Sequence, residues 1–305
     1  MSDAQAVAAF YRARSGRPLW TESGRLRPEA EAAVALIATA AEDGLDPARY
    51  GGPRLQALLA RARSGDRRAT EQAERALSEA FGRYAVDLRT PSRGQETAFP
   101  DPRLAPPDTI AAALRAAAAA PDLGAHLAAL RRMHPLYEQL RTALSEARVD
   151  GDAADIRAIL ANMDRLRPLP RLAGRRHVLV DAASGRLWMY EDGRSRGAMK
   201  VVVGSPEHPT PLMAGVLTHS VLRPYWNIPE DLVRDRFAPR VLKDGVGVLR
   251  AENMEVLADW SETPARLDPA KVDWRSAAAG RIGLRVRQKP GPENMMGAIK
   301  FMLPN

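Results

Sequence analysis

Three neighbouring residues, Tyr225, Trp226 and Asn227, carry side chains suited to binding a peptide, and they occur in the segment RPYWNIP. Tyrosine and tryptophan offer flat apolar surfaces, and asparagine offers a donor and an acceptor to a peptide backbone. Aromatic residues beside prolines also often pack the end of a strand. The segment therefore has two interpretations, a wall of a peptide-binding cleft or a structural turn.

The histidines and the glycine-rich segments give no comparable pattern. His208 stands between a glutamate and a proline, with no second ligand at metal-binding spacing, so we expect a residue of a surface turn. The segment GPENMMG lacks the Lys-Ser/Thr pair and the helix start of a phosphate-binding loop. The sequence therefore predicts no metal and no cofactor.

Cysteine is absent from the 305 residues, which excludes disulfides, thiolate metal sites and a cysteine nucleophile within them. The net charge of +8 favours anionic partners, such as nucleic acid or anionic polymers of the cell envelope. However, the arginines alternate with acidic residues in alanine-rich runs, as in DRRATEQAERALSEAFGR. This pattern is typical of a solvated helix face, so we predict no nucleic-acid partner.

The sequence contains no apolar run of about 18 residues, so we predict no integral membrane segment. Asp3 stands where a signal peptide needs a basic residue, and the apolar stretch after it is short and interrupted. An export signal is therefore not expected within this sequence.

The first half of the chain, residues 1–170, has the periodicity of helices, with apolar residues at i, i+3 and i+4. Ser2 and Asp3 can cap a first helix, and a second helix begins near Pro28 and stops at Gly44. The alanine-rich runs allow close contact between helices. We therefore predict an all-helical domain over residues 1–170.

The second half, residues 171–305, has short β-rich runs separated by turn formers such as Ser184-Gly185 and Asp192-Gly193. In RLWMYE, alternation places Leu187 and Met189 on one face of a strand and Trp188 and Tyr190 on the other. THSVLRPYWNIP predicts a strand that ends in an aromatic turn. EDLVRDRFAPRVLKDG predicts a short helix interrupted at Pro239, and RIGLRVRQK and GAIKFMLP predict two closing strands. The expected fold class is α+β.

Several stretches together resemble the large L,D-transpeptidases of Gram-negative bacteria, the type that carries a helical scaffold domain. They stand in the order of that family and cover nearly the whole chain: FYRARSGRPLW, NMDRLRPLP, HVLVDAASGRLWMYEDG, MKVVVGSPEHPTPLM, VLRPYWNIPEDLVRD, LDPAKVDWR and VRQKPGPENMMGAIKFMLPN. The resemblance implies a helical scaffold domain at 1–170 and part of a β-rich catalytic domain at 171–305. It also implies a lid over the cleft at about 230–281, which holds Trp260 and Trp274. We expect these two tryptophans to anchor the small core of the lid itself.

The resemblance implies an enzyme that joins peptidoglycan stem peptides in the periplasm. In such an enzyme a cysteine thiolate attacks the carbonyl that links the third stem residue to a terminal D-amino acid. The terminal amino acid leaves, and the acyl group passes from the thioester to an amine of another stem or to water. The same resemblance makes Tyr225, Trp226 and Asn227 candidate contacts of the acyl-donor stem.

The sequence departs from the family pattern in two respects. The family motif of a histidine followed by Ser/His-Gly-Cys comes after a strand resembling KFMLPN, and it is absent here. The five histidines have other contexts, so no catalytic residue is assigned: His126, His134, His177, His208 and His219. We therefore expect a chain cut before its catalytic loop and inactive by itself. The peptidoglycan-binding helical module that many members insert before NMDR is also missing, which puts wall binding through that module in doubt.

Two further expectations follow. One is an alternative function, a non-catalytic relative that binds the cell wall or a partner protein. The other is self-association of the chain, since the last strand would keep an unpaired edge.

Overall fold

The structure, a computed structural model, describes residues 2–92, 97–170 and 176–304. Its residues divide into two compact units, Met1–Ala214 and Gly215–Asn305. The first unit holds eight α-helices among its described residues. They are α1 (Asp3–Ala13), α2 (Pro28–Ala38), α3 (Gly52–Arg63), α4 (Arg67–Asp87), α5 (Ile110–Ala119), α6 (Leu123–Leu130), α7 (Pro135–Asp150) and α8 (Ala153–Leu166).

The ends of these helices follow local sequence signals. Ser2 accepts from the backbone N–H of Gln5, and the Gln5 side chain accepts from the N–H of Ser2, which forms a capping box at α1. Pro28 is the first residue of α2, and the helical turn after α2 ends at Gly44, which has a positive φ of 67°. The predictions of a cap at Ser2, a start at Pro28 and a stop at Gly44 are therefore confirmed.

The helices pack around one apolar core. Its largest fully buried side chains include Trp20, Tyr50, Phe81, Tyr84 and Tyr137. Small residues permit the close contacts: a Cβ added at Gly82 of α4 would lie 2.6 Å from Cγ2 of Ile110 on α5. The expectation of close helix packing is confirmed at this point.

The described residues of the first unit also form two small antiparallel sheets. One is a two-stranded ribbon of β1 (Thr21–Glu22) and β2 (Arg25–Leu26), and the other has the order β3-β4-β5. These three strands are Arg176–Asp181, Arg186–Glu191 and Arg194–Lys200. The register pairs Leu187 with Val180 and Tyr190 with His177, so the predicted alternation along β4 is confirmed. The predicted change from helices to strands adjoins residues 171–175, which lie outside the described part of the chain.

The second unit is built on a four-stranded antiparallel sheet in the order β7-β10-β8-β9. A separate two-stranded sheet pairs β6 with β11. The elements of the unit, in chain order, are β6 (His219–Leu222), β7 (Trp226–Ile228), α9 (Glu230–Leu232), a π-helical turn (Val233–Phe237), α10 (Ala238–Asp244), α11 (Gly247–Ala251), β8 (Met254–Leu257), β9 (Arg266–Leu267), α12 (Trp274–Ala278), β10 (Arg285–Gln288) and β11 (Ile299–Met302). The fold class is α+β, as predicted.

Two local predictions were wrong. The aromatic segment is not a turn from Trp226 onward, because β7 begins there; the turn lies before it, at Arg223, whose φ is +50°. Helical structure is continuous through Pro239, which is the second residue of α10 and comes just after a π-helical turn. The irregularity lies one turn earlier, in the π-helical residues Val233–Phe237.

Trp260 and Trp274 behave differently from each other. Trp274 is buried in the core of the second unit, and its indole N–H donates to the carbonyl of Pro269 at 2.8 Å. Trp260 is exposed. The prediction of a core anchor is therefore confirmed for Trp274 and wrong for Trp260. Residues 230–281 also supply β8, which pairs with β10 inside the four-stranded sheet.

Candidate functional site: a charged face on the four-stranded sheet

The register of the four-stranded sheet assigns its side chains to two faces. Ile228, Val256 and Val286 occupy one row across β7, β8 and β10, and all three are buried in the core of the second unit. Since side chains alternate along a strand, the residues between them belong to the opposite face. That opposite face carries polar and charged side chains.

Six residues of this region make up a surface that we name the charged face: Tyr225, Asn227, Glu255, Arg266, Arg287 and Lys289. Asn227 and Glu255 are the strand partners of Arg287 on its two sides. Tyr225 precedes β7 and contributes its ring, because the guanidinium carbon of Arg287 lies 4.2 Å from the ring centroid. This is the geometry of a cation–π contact.

Glu255 is the centre of the charged face. Its side chain is only 7% exposed, and its Oε1 accepts from Nε of Arg287 at 2.7 Å. Its Oε2 lies 2.9 Å from Nε of Arg266 and 3.7 Å from Nζ of Lys289. A carboxylate withdrawn from water needs such partners to stay ionised. Three positive charges around one negative charge leave the cluster with a surplus of positive charge.

The loop between β10 and β11 is fixed beside this face by Asn294. The buried amide nitrogen of Asn294 lies within hydrogen-bond distance of the carbonyls of Pro224, Gln288 and Lys289, at 3.3, 3.3 and 2.9 Å. Its Oδ1 accepts from the backbone N–H of Met296 at 2.7 Å. The contact with Pro224 joins the loop to the residue before Tyr225. The loop predicted to bind no phosphate therefore has a structural role.

The structure separates the three residues singled out from the sequence. Tyr225 and Asn227 are exposed and lie on the charged face, whereas Trp226 points to the opposite side. The Trp226 ring is half-buried, and its centroid is 6.3 Å from that of Phe237 in the core of the unit. Strand alternation is the reason, because three consecutive residues of an extended chain cannot share one face.

Sequence reasoning missed Glu255, Arg266, Arg287 and Lys289. Two signals were present in the sequence. RVRQK places Arg285, Arg287 and Lys289 at every second position, and MEVL contains a single carboxylate in an otherwise apolar strand. Neither signal indicates that the two segments are neighbours, which only the pairing of β8 with β10 reveals.

A second cluster of ionisable groups lies in the first unit. The rings of His177 and Tyr190 are stacked at 4.9 Å, and His134 meets them edge-on at 5.5 and 5.6 Å. Nδ1 of His134 accepts from the N–H of Leu136 at 3.3 Å and so caps α7. Burial, with a smaller contribution from His177, lowers the pKa of His134 to about 4. Both histidines therefore favour their neutral forms, as in a packed interior.

The remaining sequence candidates are unremarkable in position. His208 is exposed in a surface turn, as predicted, and its backbone N–H donates to the carbonyl of Ser205 at 3.1 Å. Within residues 2–92, 97–170 and 176–304, no group of three or more histidine or acidic side chains is arranged to hold a metal ion. Across the same ranges, no helix combines the length and the apolar character needed to cross a membrane.

The chemistry open to the charged face is binding. Guanidinium groups pair with carboxylates in a planar, two-point geometry, and asparagine pairs with peptide groups. The 305 residues contain no cysteine, so a thiolate is not among the groups available.

Comparison with known proteins gives two matches to family models and one to a curated relative. Residues 5–144 match a family described as a scaffold domain, and residues 175–305 match the L,D-transpeptidase catalytic domain. A Haemophilus influenzae protein named "Putative L,D-transpeptidase" is 30% identical over 144 residues. That stretch is 47% of this chain and 28% of the relative, so the chain spans less than a third of the length of the relative it matches. The charged face lies entirely within the catalytic-domain match. The chain is therefore similar to L,D-transpeptidases over residues 175–305 and to their scaffold domain over residues 5–144.

Proposed function

We propose that this chain forms the scaffold and part of the substrate-binding surface of a peptidoglycan L,D-transpeptidase of the periplasm. The observation that carries the proposal is the charged face, because it presents peptide-binding groups within the residues that match the catalytic domain. In this proposal, Tyr225 and Asn227 contact the acyl-donor stem. Trp226 supports them from the core side of β7.

The acyl transfer of this family needs a nucleophile that these 305 residues do not supply. Forming the thioester requires a thiolate to attack a carbonyl while the bond to the terminal D-amino acid breaks. We therefore propose that the chain by itself binds stem peptide and does not transfer it. No metal or other cofactor takes part in this proposal.

The experiment offers purified chain a stem tetrapeptide and measures binding by calorimetry and products by mass spectrometry. We expect saturable binding with neither release of the terminal D-amino acid nor a cross-linked product. Release of that amino acid would overturn the proposed inactivity. Absence of binding in a folded sample would overturn the substrate-binding role.

The absence of cysteine also favours a second candidate, a protein that binds the cell wall or a partner without doing chemistry. This candidate predicts sedimentation with purified peptidoglycan sacculi or capture of a defined wall-synthesis protein, without preference for the isolated stem. Tight binding of the isolated tetrapeptide would favour the first proposal instead.

The periplasmic location rests on the family, because peptidoglycan is built there. Fractionation of the source cells with an antibody against the chain tests it. Recovery of the protein with cytoplasmic markers would contradict this part of the proposal.

A further inference from the structure

The charged face contains more positive charge than its own carboxylate can neutralise. Arg266, Arg287 and Lys289 all reach Glu255, at 2.9, 2.7 and 3.7 Å. Three cations in contact with one carboxylate leave a net charge of about +2 when all are ionised. Positive groups gathered this closely repel each other, and an additional anion would relieve that repulsion.

The three cationic side chains around Glu255 differ in how much of each is exposed to solvent. The Arg287 side chain is 18% exposed and lies under the Tyr225 ring, whereas Arg266 is 65% and Lys289 37% exposed. Both arginines approach Glu255 through Nε. Among the described residues, the structure gives their terminal Nη nitrogens no hydrogen-bond acceptor. Several donors therefore stay available beside a partly exposed aromatic ring.

The neighbouring groups indicate what kind of anion suits this place. Asn227 is the strand partner of Arg287 and can pair with a peptide group. The Tyr225 ring supplies apolar contact next to the arginine. A peptide whose backbone meets Asn227 would thus bring a carboxylate at its end to the guanidinium groups, which recognise carboxylates by two parallel hydrogen bonds.

We propose that Arg266, Arg287 and Lys289 form a subsite for the free terminal carboxylate of a stem peptide. This inference rests on the proposed substrate-binding function and adds the chemical group that is recognised. Glu255 acts as a positioning residue that holds the three cations together and does not itself touch the peptide. Tyr225 keeps Arg287 in place from the solvent side.

The test compares two stem tetrapeptides by calorimetry, one with a free terminal carboxyl group and one with that group amidated. Charge-assisted hydrogen bonds are worth about 1.5–3 kcal/mol, so the wild-type chain should bind the free acid about 10-fold to 100-fold more tightly. The substitution Arg266→Gln should remove most of that preference, chiefly by weakening binding of the free acid. Lys289→Gln should act in the same direction with a smaller effect, because an ammonium group is a single-point partner.

The matched control is Lys243→Gln. It removes the same charge from an exposed position of α10, outside the charged face, and should leave both affinities within about twofold. A shared loss in Arg266→Gln and Lys243→Gln would mean a general charge effect and would overturn the subsite. Thermal unfolding of each variant, expected at a midpoint within about 2 °C of the wild type, shows that the fold is kept.

The outcomes separate this inference from the function on which it rests. Equal binding of the acid and the amide by the wild-type chain would overturn the subsite and leave stem binding intact. Binding of neither peptide would overturn the proposed function, and the subsite with it. Preference for the acid that is lost in Arg266→Gln and kept in Lys243→Gln would support both.

Discussion

Each unit contains a buried glutamate, Glu74 in the first and Glu255 in the second, and the two carboxylates are stabilised by different kinds of partner. Glu74 of α4 is held by neutral donors: the hydroxyl groups of Tyr11 and Thr21, at 2.6 and 2.8 Å, and the backbone N–H groups of Leu19 and Trp20. Glu255 of β8 is held by three cationic side chains. Neutral donors satisfy a carboxylate without adding charge, whereas surplus cations create a field that reaches into solvent.

The kind of partner distinguishes a buried carboxylate that only stabilises the fold from one that belongs to a binding surface. Glu74 ties α1 and the segment after it to α4, so its hydrogen bonds are fully used within the fold. Glu255 instead positions arginine and lysine side chains that keep N–H donors available for a ligand. A buried charge is therefore not evidence of a functional site until the nature of its partners is known.

The strongest test of this contrast is Glu74→Gln. The substitution keeps the size of the side chain but removes the charge and turns an amide N–H₂ toward groups that donate. Because several charge-assisted hydrogen bonds are lost in a buried place, we expect a loss of about 4 kcal/mol in the free energy of unfolding. Urea unfolding at neutral pH, followed by far-ultraviolet circular dichroism, measures it.

The control for that prediction is Glu71→Gln on the same helix. Glu71 has an exposed side chain and a single ion pair with Arg67 at 3.4 Å, so its loss should change stability by less than about 0.5 kcal/mol. Equal effects of the two substitutions would remove the structural role assigned to Glu74.

His134 sharpens the comparison because it is buried and, within the described part of the chain, no acidic side chain forms an ion pair with it. The ionisable side chains that meet its ring are His177 and Tyr190. Its folded pKa of about 4 lies below the ordinary 6.5, so the unfolded chain takes up the proton first as the pH falls. This contribution to stability is fully present above pH 6.5 and is lost progressively toward pH 4, by about 3 kcal/mol in all.

The variant His134→Asn tests this pH dependence. Asparagine can keep the cap on α7 but does not titrate, so the variant should lose less stability than the wild type between pH 6.5 and 4.5. Unfolding by urea at a series of pH values measures both curves. Parallel curves would show that other groups cause the acid sensitivity.

Glu255→Gln repeats the Glu74 substitution in the second unit and should have a different outcome. Its cationic partners are partly exposed and can be hydrated, so we expect a loss of only about 1 kcal/mol. Because Glu255 holds the three cations together, the substitution should also weaken binding of the free-acid tetrapeptide by about threefold. Calorimetry and urea unfolding give the two quantities. Tighter binding would show that Glu255 competes with the peptide carboxylate for the cations more than it positions them.

The smallest predicted effect concerns self-association through the sheet of β6 and β11. Among the described residues this sheet has two strands, so each strand keeps one edge without a strand partner. Leu222 and Phe301 on it are 70% and 61% exposed. We expect weak oligomers at about 100 μM by light scattering, reduced in Phe301→Lys.

Val149→Lys provides the control, since Val149 is an exposed apolar residue of α7, remote in sequence from these strands. It should leave the association unchanged. A monomer at all concentrations would contradict the prediction.

The sequence predicted well what depends on neighbours along the chain. The cap at Ser2, the stop at Gly44 and the two faces of β4 all follow from residues within a few positions of one another. The change from helical to β-rich periodicity near residue 170 indicated the α+β class. Of the six residues of the charged face, only Tyr225 and Asn227 could be singled out from the sequence, because they are conspicuous as residue types.

The rest of the charged face depends on contacts between distant segments. Glu255 and Arg287 are 32 positions apart and become partners only through the pairing of β8 with β10. The orientation of Trp226 depends in turn on where β7 begins, which Arg223 and its positive φ determine. Strand register is set by the whole sheet, so no local pattern could have given either result.

Asn294 has a consequence for transplanting this binding surface into another protein. Its amide nitrogen lies within hydrogen-bond distance of the carbonyls of Gln288 and Lys289, at the start of the loop, and of the carbonyl of Pro224, 70 positions earlier. The loop after β10 is therefore not a portable module. A graft that takes residues 289–297 without the 223–227 segment would leave a buried amide without the carbonyl of Pro224 as acceptor. The loop can therefore be moved only together with the segment before β7, to which Asn294 connects it.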